Sequence, residues 1–253
     1  MTLDNLVRQL QLAHGDALMG VLVYGSTAAD TGSTRGHNVL VVVRTLDMRM
    51  LHAMGAVAAA WEEGGNPALL TLTDAEWKSS RDVFAIEHSD IAERHRVLYS
   101  AHGFAPEPAS AIRDADLRSQ LEYELLALTL GVRAATVAAR GNAKDQRALL
   151  GAHAGRAVAL MRAVLRLERR AVLGAAESVC GEVEALTGVA AAPFVAAVAQ
   201  RHGKAVPRAN LSGAVAAFHD GLAALTAWVD ARAAVDYPFP ATDNSKRRPK
   251  EPE

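Results

Sequence analysis

Apolar residues follow two spacings along the chain, and their alternation predicts the elements. Leu18–Tyr24 (LMGVLVY) and Asn38–Val43 (NVLVVV) are near-continuous Val-rich runs, the pattern of strands covered on both faces. Before them, Thr2 caps a helix with Leu3, Leu6, Val7 and Leu10 on one face, stopped by Gly15. After them, Asp47–Glu63 is helical by its spacing of Leu51, Met54, Val57, Ala58 and Trp61, and Gly64-Gly65-Asn66-Pro67 ends it. Ala68–Leu72 reads as a third strand, Val83–Glu87 as a fourth and Val97–Tyr99 as the stub of a fifth. Thr73 and Glu76 have capping-box spacing and predict a short helix carrying Trp77.

Past Ala101–Ala111, where Pro106 and Pro108 interrupt regular structure, every predicted element is a helix. Asp114–Arg140 carries Leu117, Leu121, Leu125, Leu128 and Val132 in one stripe, and Lys144–Leu173 turns Leu149, Leu160, Val164 and Leu167 inward. Shorter helices follow at Glu177–Leu186 and Pro193–His202, then a long one from Leu211 to Ala234 with Val215, Phe218, Leu222, Leu225 and Val229. The expected division is a strand-containing domain over 1–104, a linker over 105–111, an all-helical bundle over 112–236 and a disordered Pro/Lys/Arg-rich tail over 237–253.

Half of the 253 residues are apolar but only 5% aromatic, and the second half is rich in Ala, so the core should be built from closely approaching helices. With 27 basic against 28 acidic residues, no charge excess points to nucleic acid. The single Cys180 excludes an intrachain disulfide and a multi-Cys zinc site. The start is amphipathic, and no 18-residue window is both charge-free and apolar enough to span a bilayer; the expectation is a soluble, cytoplasmic protein without a membrane partner.

Candidate chemistry concentrates between the first two strands. Gly25, Gly32 and Gly36 allow left-handed backbone or close approach of a ligand, and Ser26, Thr27, Ser33 and Thr34 supply hydroxyls. A strand running into Tyr24-Gly25-Ser26, a loop, and the Val39–Val43 strand resembles the signature of the nucleotidyltransferase superfamily, the polymerase-β-like fold. The resemblance implies an α+β protein, a small mixed-sheet domain followed by the helical bundle. That order of parts is shared with small-molecule-modifying members of the superfamily, aminoglycoside-modifying enzymes among them. It also implies a nucleoside triphosphate at Gly25 and Ser26, and two Mg²⁺ ions held by an Asp-x-Asp pair opening the second strand. Here the pair is absent. A gapless superposition puts His37 and Val39 at its positions; a one-residue shift, preferred because Asn is near-isosteric with Asp, puts Gly36 and Asn38 there. A third carboxylate from a neighbouring strand would be Glu87, with Asp82 the lesser candidate.

Apart from catalysis, the Gly25–Gly36 loop is a candidate anion nest, with Arg35 and Arg44 flanking it as partners for phosphate oxygens; it lacks the Gly-Lys-Ser/Thr ending of a P-loop. Glu87, His88, Asp90 and His95 do not have the spacing of a metal site, and Ser178-Val179-Cys180-Gly181 is no nucleophile elbow. Arg162, Arg166, Arg169 and Arg170 read first as the charged outer face of a helix, and second as an anion or partner surface. Three functions stay open. The first is a nucleotidyltransferase-fold protein with a degraded metal site, weak or inactive as a transferase, that binds a nucleotide, a small anion or a partner protein. The second is an active transferase moving a nucleoside monophosphate to a small-molecule or protein hydroxyl, with Glu87 catalytic and Mg²⁺ bound. The third is a structural interaction module.

Overall fold

The computed structural model describes residues 1–25, 28, 36–106, 108, 112–171, 174–204 and 206–236. Thus Ser26, Arg35, part of the predicted linker and the 237–253 tail lie outside the described residues.

The first part of the chain alternates helices and strands: α1 (Leu3–His14), β1 (Leu18–Tyr24), β2 (Asn38–Val43), α2 (Met48–Glu63), β3 (Leu70–Thr73), α3 (Asp74–Ser79), α4 (Ala85–Glu93) and β4 (His95–Ser100). Five helices follow: α5 (Asp114–Ala139), α6 (Ala143–Leu167), α7 (Ala176–Thr187), α8 (Ala192–Arg201) and α9 (Leu211–Asp236). The fold is therefore α+β, a small mixed sheet followed by helices alone among the described residues. Strand order is β3-β2-β1-β4, with β1 antiparallel to β2 and β4, and β2 parallel to β3. Pairing of Leu18 with Val43 and of Tyr24 with Asn38 sets Gly25 and the start of β2 at one end of the sheet.

Strand alternation sorts this sheet's side chains onto two covered faces. Val21, Val23, Val39, Val41 and Val43 pack with Leu6 and Leu10 of α1 and Met54, Val57 and Trp61 of α2. Leu22, Leu40 and Val42 face the other way, toward Trp77, Ile91 and Phe104. The Phe104 ring occupies the space a Cβ on Gly20 would need, which is why β1 carries a glycine there. Thr73 caps α3 and Glu76 reaches back to it, as the spacing predicts, and Trp77 is buried.

Two expectations are corrected. Val83–Glu87 is not a strand: the chain turns at Ser80–Phe84 and Glu87 lies in the first turn of α4. A short apolar run does not distinguish strand from buried helix, and here the deciding residue is Ile91, which a helix carries onto the sheet. The expected stub at Val97–Tyr99 is the centre of β4, so the sheet has four strands. In addition, α6 ends at Leu167 rather than Leu173, closed by a left-handed Arg169 (φ 55°) and N–H bonds from Arg169 to the Arg166 carbonyl (2.9 Å) and from Arg170 to that of Leu165 (2.8 Å).

Contacts divide the chain into two compact units, Met1–Glu124 with Val158–Glu182, and Leu125–Ala157 with Val183–Glu253. Helices α5 and α6 each contribute residues to both. The second unit is built on Leu125, Leu128, Val132, Leu149, Leu150, Phe194, Phe218, Leu222, Leu225 and Val229, with the Phe194 and Phe218 rings edge to face at 5.4 Å. Helix α6 carries charged residues along its length yet is long and apolar enough to cross a membrane by length and composition, with a window of mean hydropathy 1.3; 61% of that window is buried inside the protein.

Candidate functional site

The end of β1 sets the geometry. Gly25 has φ 78°, a conformation that disfavours any side chain, and its N–H donates to the Arg94 carbonyl at 3.0 Å. A Cβ placed on it would lie 3.2 Å from Asp90 Oδ2 and 3.3 Å from Asn38 Nδ2. The turn thus brings together the first residue of β2, the last turn of α4 and the residue that follows α4.

Strand alternation then settles where the neighbouring residues point. Asn38 shares its face with Leu40 and Val42, the face covered by α4. Val39 is buried on the opposite face among Leu6, Met54 and Trp61. His37 goes with it: its ring stacks 6.5 Å from that of Trp61, and its N–H donates to Asn66 Oδ1 at 3.2 Å. Asn66 is itself fixed by donating to the Trp61 carbonyl (3.2 Å), and the Trp61 indole donates to the Pro67 carbonyl (3.0 Å). The Gly64–Pro67 stop after α2 is therefore what draws His37 away from Gly25.

On α4, Glu87 and Asp90 are one helical turn apart. Glu87 accepts from Gln120 Nε2 at 2.7 Å, and Gln120 Oε1 accepts the Ile86 N–H at 2.7 Å. Asp90 is held differently. Arg166 Nη2 lies 2.6 Å from Asp90 Oδ1 and 3.0 Å from Glu93 Oε2, and the Arg166 side chain is only 6% exposed. Burial, the largest influence on this guanidinium, disfavours its charge; the hydrogen bond with Glu93 and the charges of Asp90 and Glu93 outweigh burial and raise its pKa. Arg162, one turn earlier on α6, is also buried. There burial wins, lowering its pKa, with Asp90 opposing and the charges of Arg94 and Arg166 reinforcing the shift. Beside it, burial raises the Cys180 thiol to about 11, so this cysteine is a small apolar neighbour.

Several N–H groups here have no acceptor among the described residues: Nε and Nη1 of Arg166, Nε of Arg162 and Nη2 of Arg94. Each such buried donor costs about 1–3 kcal/mol. Arg162 and Arg166 are thus not part of a solvated outer face; Arg169 is, with 78% of its side chain exposed and paired to Asp114 at 2.6 Å.

Of the residues expected from sequence, the structure brings Gly25 and Asn38 together. It places Gly36 two residues before Asn38 with φ 74° and open space about it. It puts Arg44 just past the far end of β2, roughly 20 Å from Asn38 at ~3.3 Å per strand residue. Sequence reasoning missed Asp90, Arg94 and Glu93 as partners of Gly25 and Arg166. The only signal for them was the Arg162/Arg166 helical spacing.

The magnesium ions implied by the resemblance do not fit these donors. Among the described residues no three His, Cys, Asp or Glu converge. Asn38 is neutral, and the Asp90 and Glu93 carboxylates next to the turn already accept from Arg166.

By sequence the chain matches no protein-family model, and no curated protein matches it either. By structure it is similar to the spectinomycin adenyltransferase AAD(9) from Enterococcus faecialis, solved with ATP and spectinomycin. The TM-score is 0.56 at 12% identity, over 87% of this chain and 97% of that one. The fold shared with that enzyme is the nucleotidyltransferase-like one, a small mixed sheet at the N-terminus and helices after it.

Proposed function

We propose that this chain is a nucleotidyltransferase-fold protein with a degraded metal site, weak or inactive as a transferase, which binds a nucleotide or another phosphate-bearing anion at the Gly25 end of the sheet. The observation that carries this reading is the Arg166–Asp90 pair at 2.6 Å beside Gly25. In a two-metal transferase the carboxylates at this end of the sheet must be free to neutralise divalent ions. Here a buried guanidinium neutralises one of them, and Asn38 supplies no charge. The face shared by Asn38 and α4 supports Gly36 and Asn38, rather than His37 and Val39, as the positions of the lost Asp-x-Asp pair. That the AAD(9) structure holds ATP and a small acceptor is consistent with a phosphate-bearing ligand for this chain.

The test is calorimetry with a panel of nucleoside triphosphates, each with Mg²⁺ and with chelator, together with transfer from α-labelled nucleotide to small hydroxyl compounds. Binding without label transfer is expected. Efficient transfer would overturn the degraded-site reading, and no binding at all would leave the interaction module as the better account.

A further inference from the structure

Arg166 pairs with Asp90 and Glu93, and the Arg162 guanidinium feels the charges of Asp90, Arg166 and Arg94, so three guanidiniums and two carboxylates form one electrostatic group. Like charges are crowded here in an interior that strengthens their repulsion. Two of the three arginines are more than nine-tenths buried, and all three retain N–H groups with no acceptor among the described residues. Asp90 points Oδ2 toward Gly25, where an added Cβ would meet it at 3.2 Å, and spends Oδ1 on Arg166. The Arg94 carbonyl holds Gly25 in place, so the guanidinium cluster and the turn are parts of one structure. An anion with several acceptor oxygens matches such donors. A divalent cation would meet the wrong sign of charge.

Resting on the reading above, we infer that the site is charge-inverted relative to a metal-dependent transferase: the guanidiniums of Arg162 and Arg166 take a phosphate-bearing ligand directly, with no divalent cation. Arginine suits this role because its planar donors match phosphate oxygens in pairs. Arg166 holds the Asp90 and Glu93 carboxylates through Nη2, while its buried Nε and Nη1 have no acceptor among the described residues. Arg162 has no hydrogen bond to a carboxylate among the described residues, so its guanidinium is the less committed of the two. Magnesium should then compete with the protein, because it occupies the same phosphate oxygens in solution.

The experiment is calorimetry on the full chain with ATP, AMP, tripolyphosphate and inorganic phosphate, each in chelator and in excess Mg²⁺. ATP or tripolyphosphate should bind in chelator and more weakly in Mg²⁺; which of the two binds better tells whether the nucleoside or the phosphate chain is the ligand recognised. Arg162→Met should lose about tenfold or more in affinity, the scale of one charged hydrogen bond, with melting temperature unchanged or raised. If that variant does not fold, Arg162→Lys, which keeps the charge but not the planar fork, should bind more weakly than the parent. Binding that needs Mg²⁺, or equal affinity in a folded Arg162 variant, overturns the metal-free site while leaving nucleotide binding intact. Silence of every ligand in both buffers overturns both readings together.

Discussion

The two compact units differ in where their buried polar groups go unsatisfied. In Leu125–Ala157 with Val183–Glu253, such groups are satisfied close at hand. Thr129, Thr187 and Thr226 donate to the carbonyl four residues earlier at 2.7–2.9 Å, His153 Nδ1 sits 2.8 Å from the Leu149 carbonyl, and Gln146 bonds Ser212 at 3.2 Å. In Met1–Glu124 with Val158–Glu182, polar atoms of His14, Trp77, Arg94, Arg96, Arg162 and Arg166 are buried with no hydrogen-bond partner among the described residues. The second unit follows the local rules of a stable helical core. The first breaks them, and breaks them most densely beside Gly25. The proposed anion site accounts for this local conflict, because a chain selected for stability alone has no use for buried guanidinium N–H groups without acceptors.

The largest expected effect tests the core side of that contrast. Phe218→Ala removes one ring of the Phe194–Phe218 pair and should cost about 3–5 kcal/mol by denaturant unfolding. Anion affinity measured well below the unfolding midpoint should stay unchanged; a parallel loss of affinity would break the separation of core from site. Arg166→Met should cost about 2–4 kcal/mol, less than a fully buried pair because the Asp90 and Glu93 side chains are 20% and 33% exposed, and should abolish anion binding as well. A stable variant that still binds would remove Arg166 from the site.

Gly25→Ala should cost about 1–2 kcal/mol from its positive φ and push against Asp90 and Asn38, weakening the ligand more than the fold. Comparing its Kd with its unfolding curve checks this. The last test concerns pH. The His88 ring stacks on Trp77 at 3.8 Å, and burial, then the Arg81 charge, lower its pKa from 6.5 to about 4, against the opposing charge of Glu87. The unfolded chain therefore takes up this proton first as pH falls. Stability from neutral His88 is complete above about 6.5 and is lost on descending toward about 4. His88→Asn should flatten that limb of the Tm–pH curve; an unchanged slope would assign the acid sensitivity to other groups.

How much of this was legible beforehand depends on whether a residue's environment is made locally. The limits of β1 and β2 follow from their Val-rich runs because a strand covered on both faces needs apolar residues at every position. The Thr73–Glu76 cap, Pro193 in the first turn of α8 and the stripes of α5 and α9 are likewise local, and the structure has them where the spacing puts them. Gly25 was legible as a special backbone position because no other residue adopts φ 78° so readily.

The amino-acid sequence by itself thus determined most of the elements, the α+β order and the turn on which the candidate site is built. Tertiary structure alone decided what stands around that turn. Asn38 faces Gly25 because the Asn66–Trp61 loop draws His37, and with it the odd-numbered face of β2, into the other core. Val83–Glu87 joined a turn and a helix because packing Ile91 on the sheet outweighed the strand propensity of a short run. Arg162 and Arg166 have the spacing of a solvated helix face, and no local pattern reveals that their partner is Asp90, 76 residues from Arg166. Helical periodicity specifies which residues share a face; which way the face turns depends on what lies across from it, and for a buried charge that opposing group is the whole difference between cost and function.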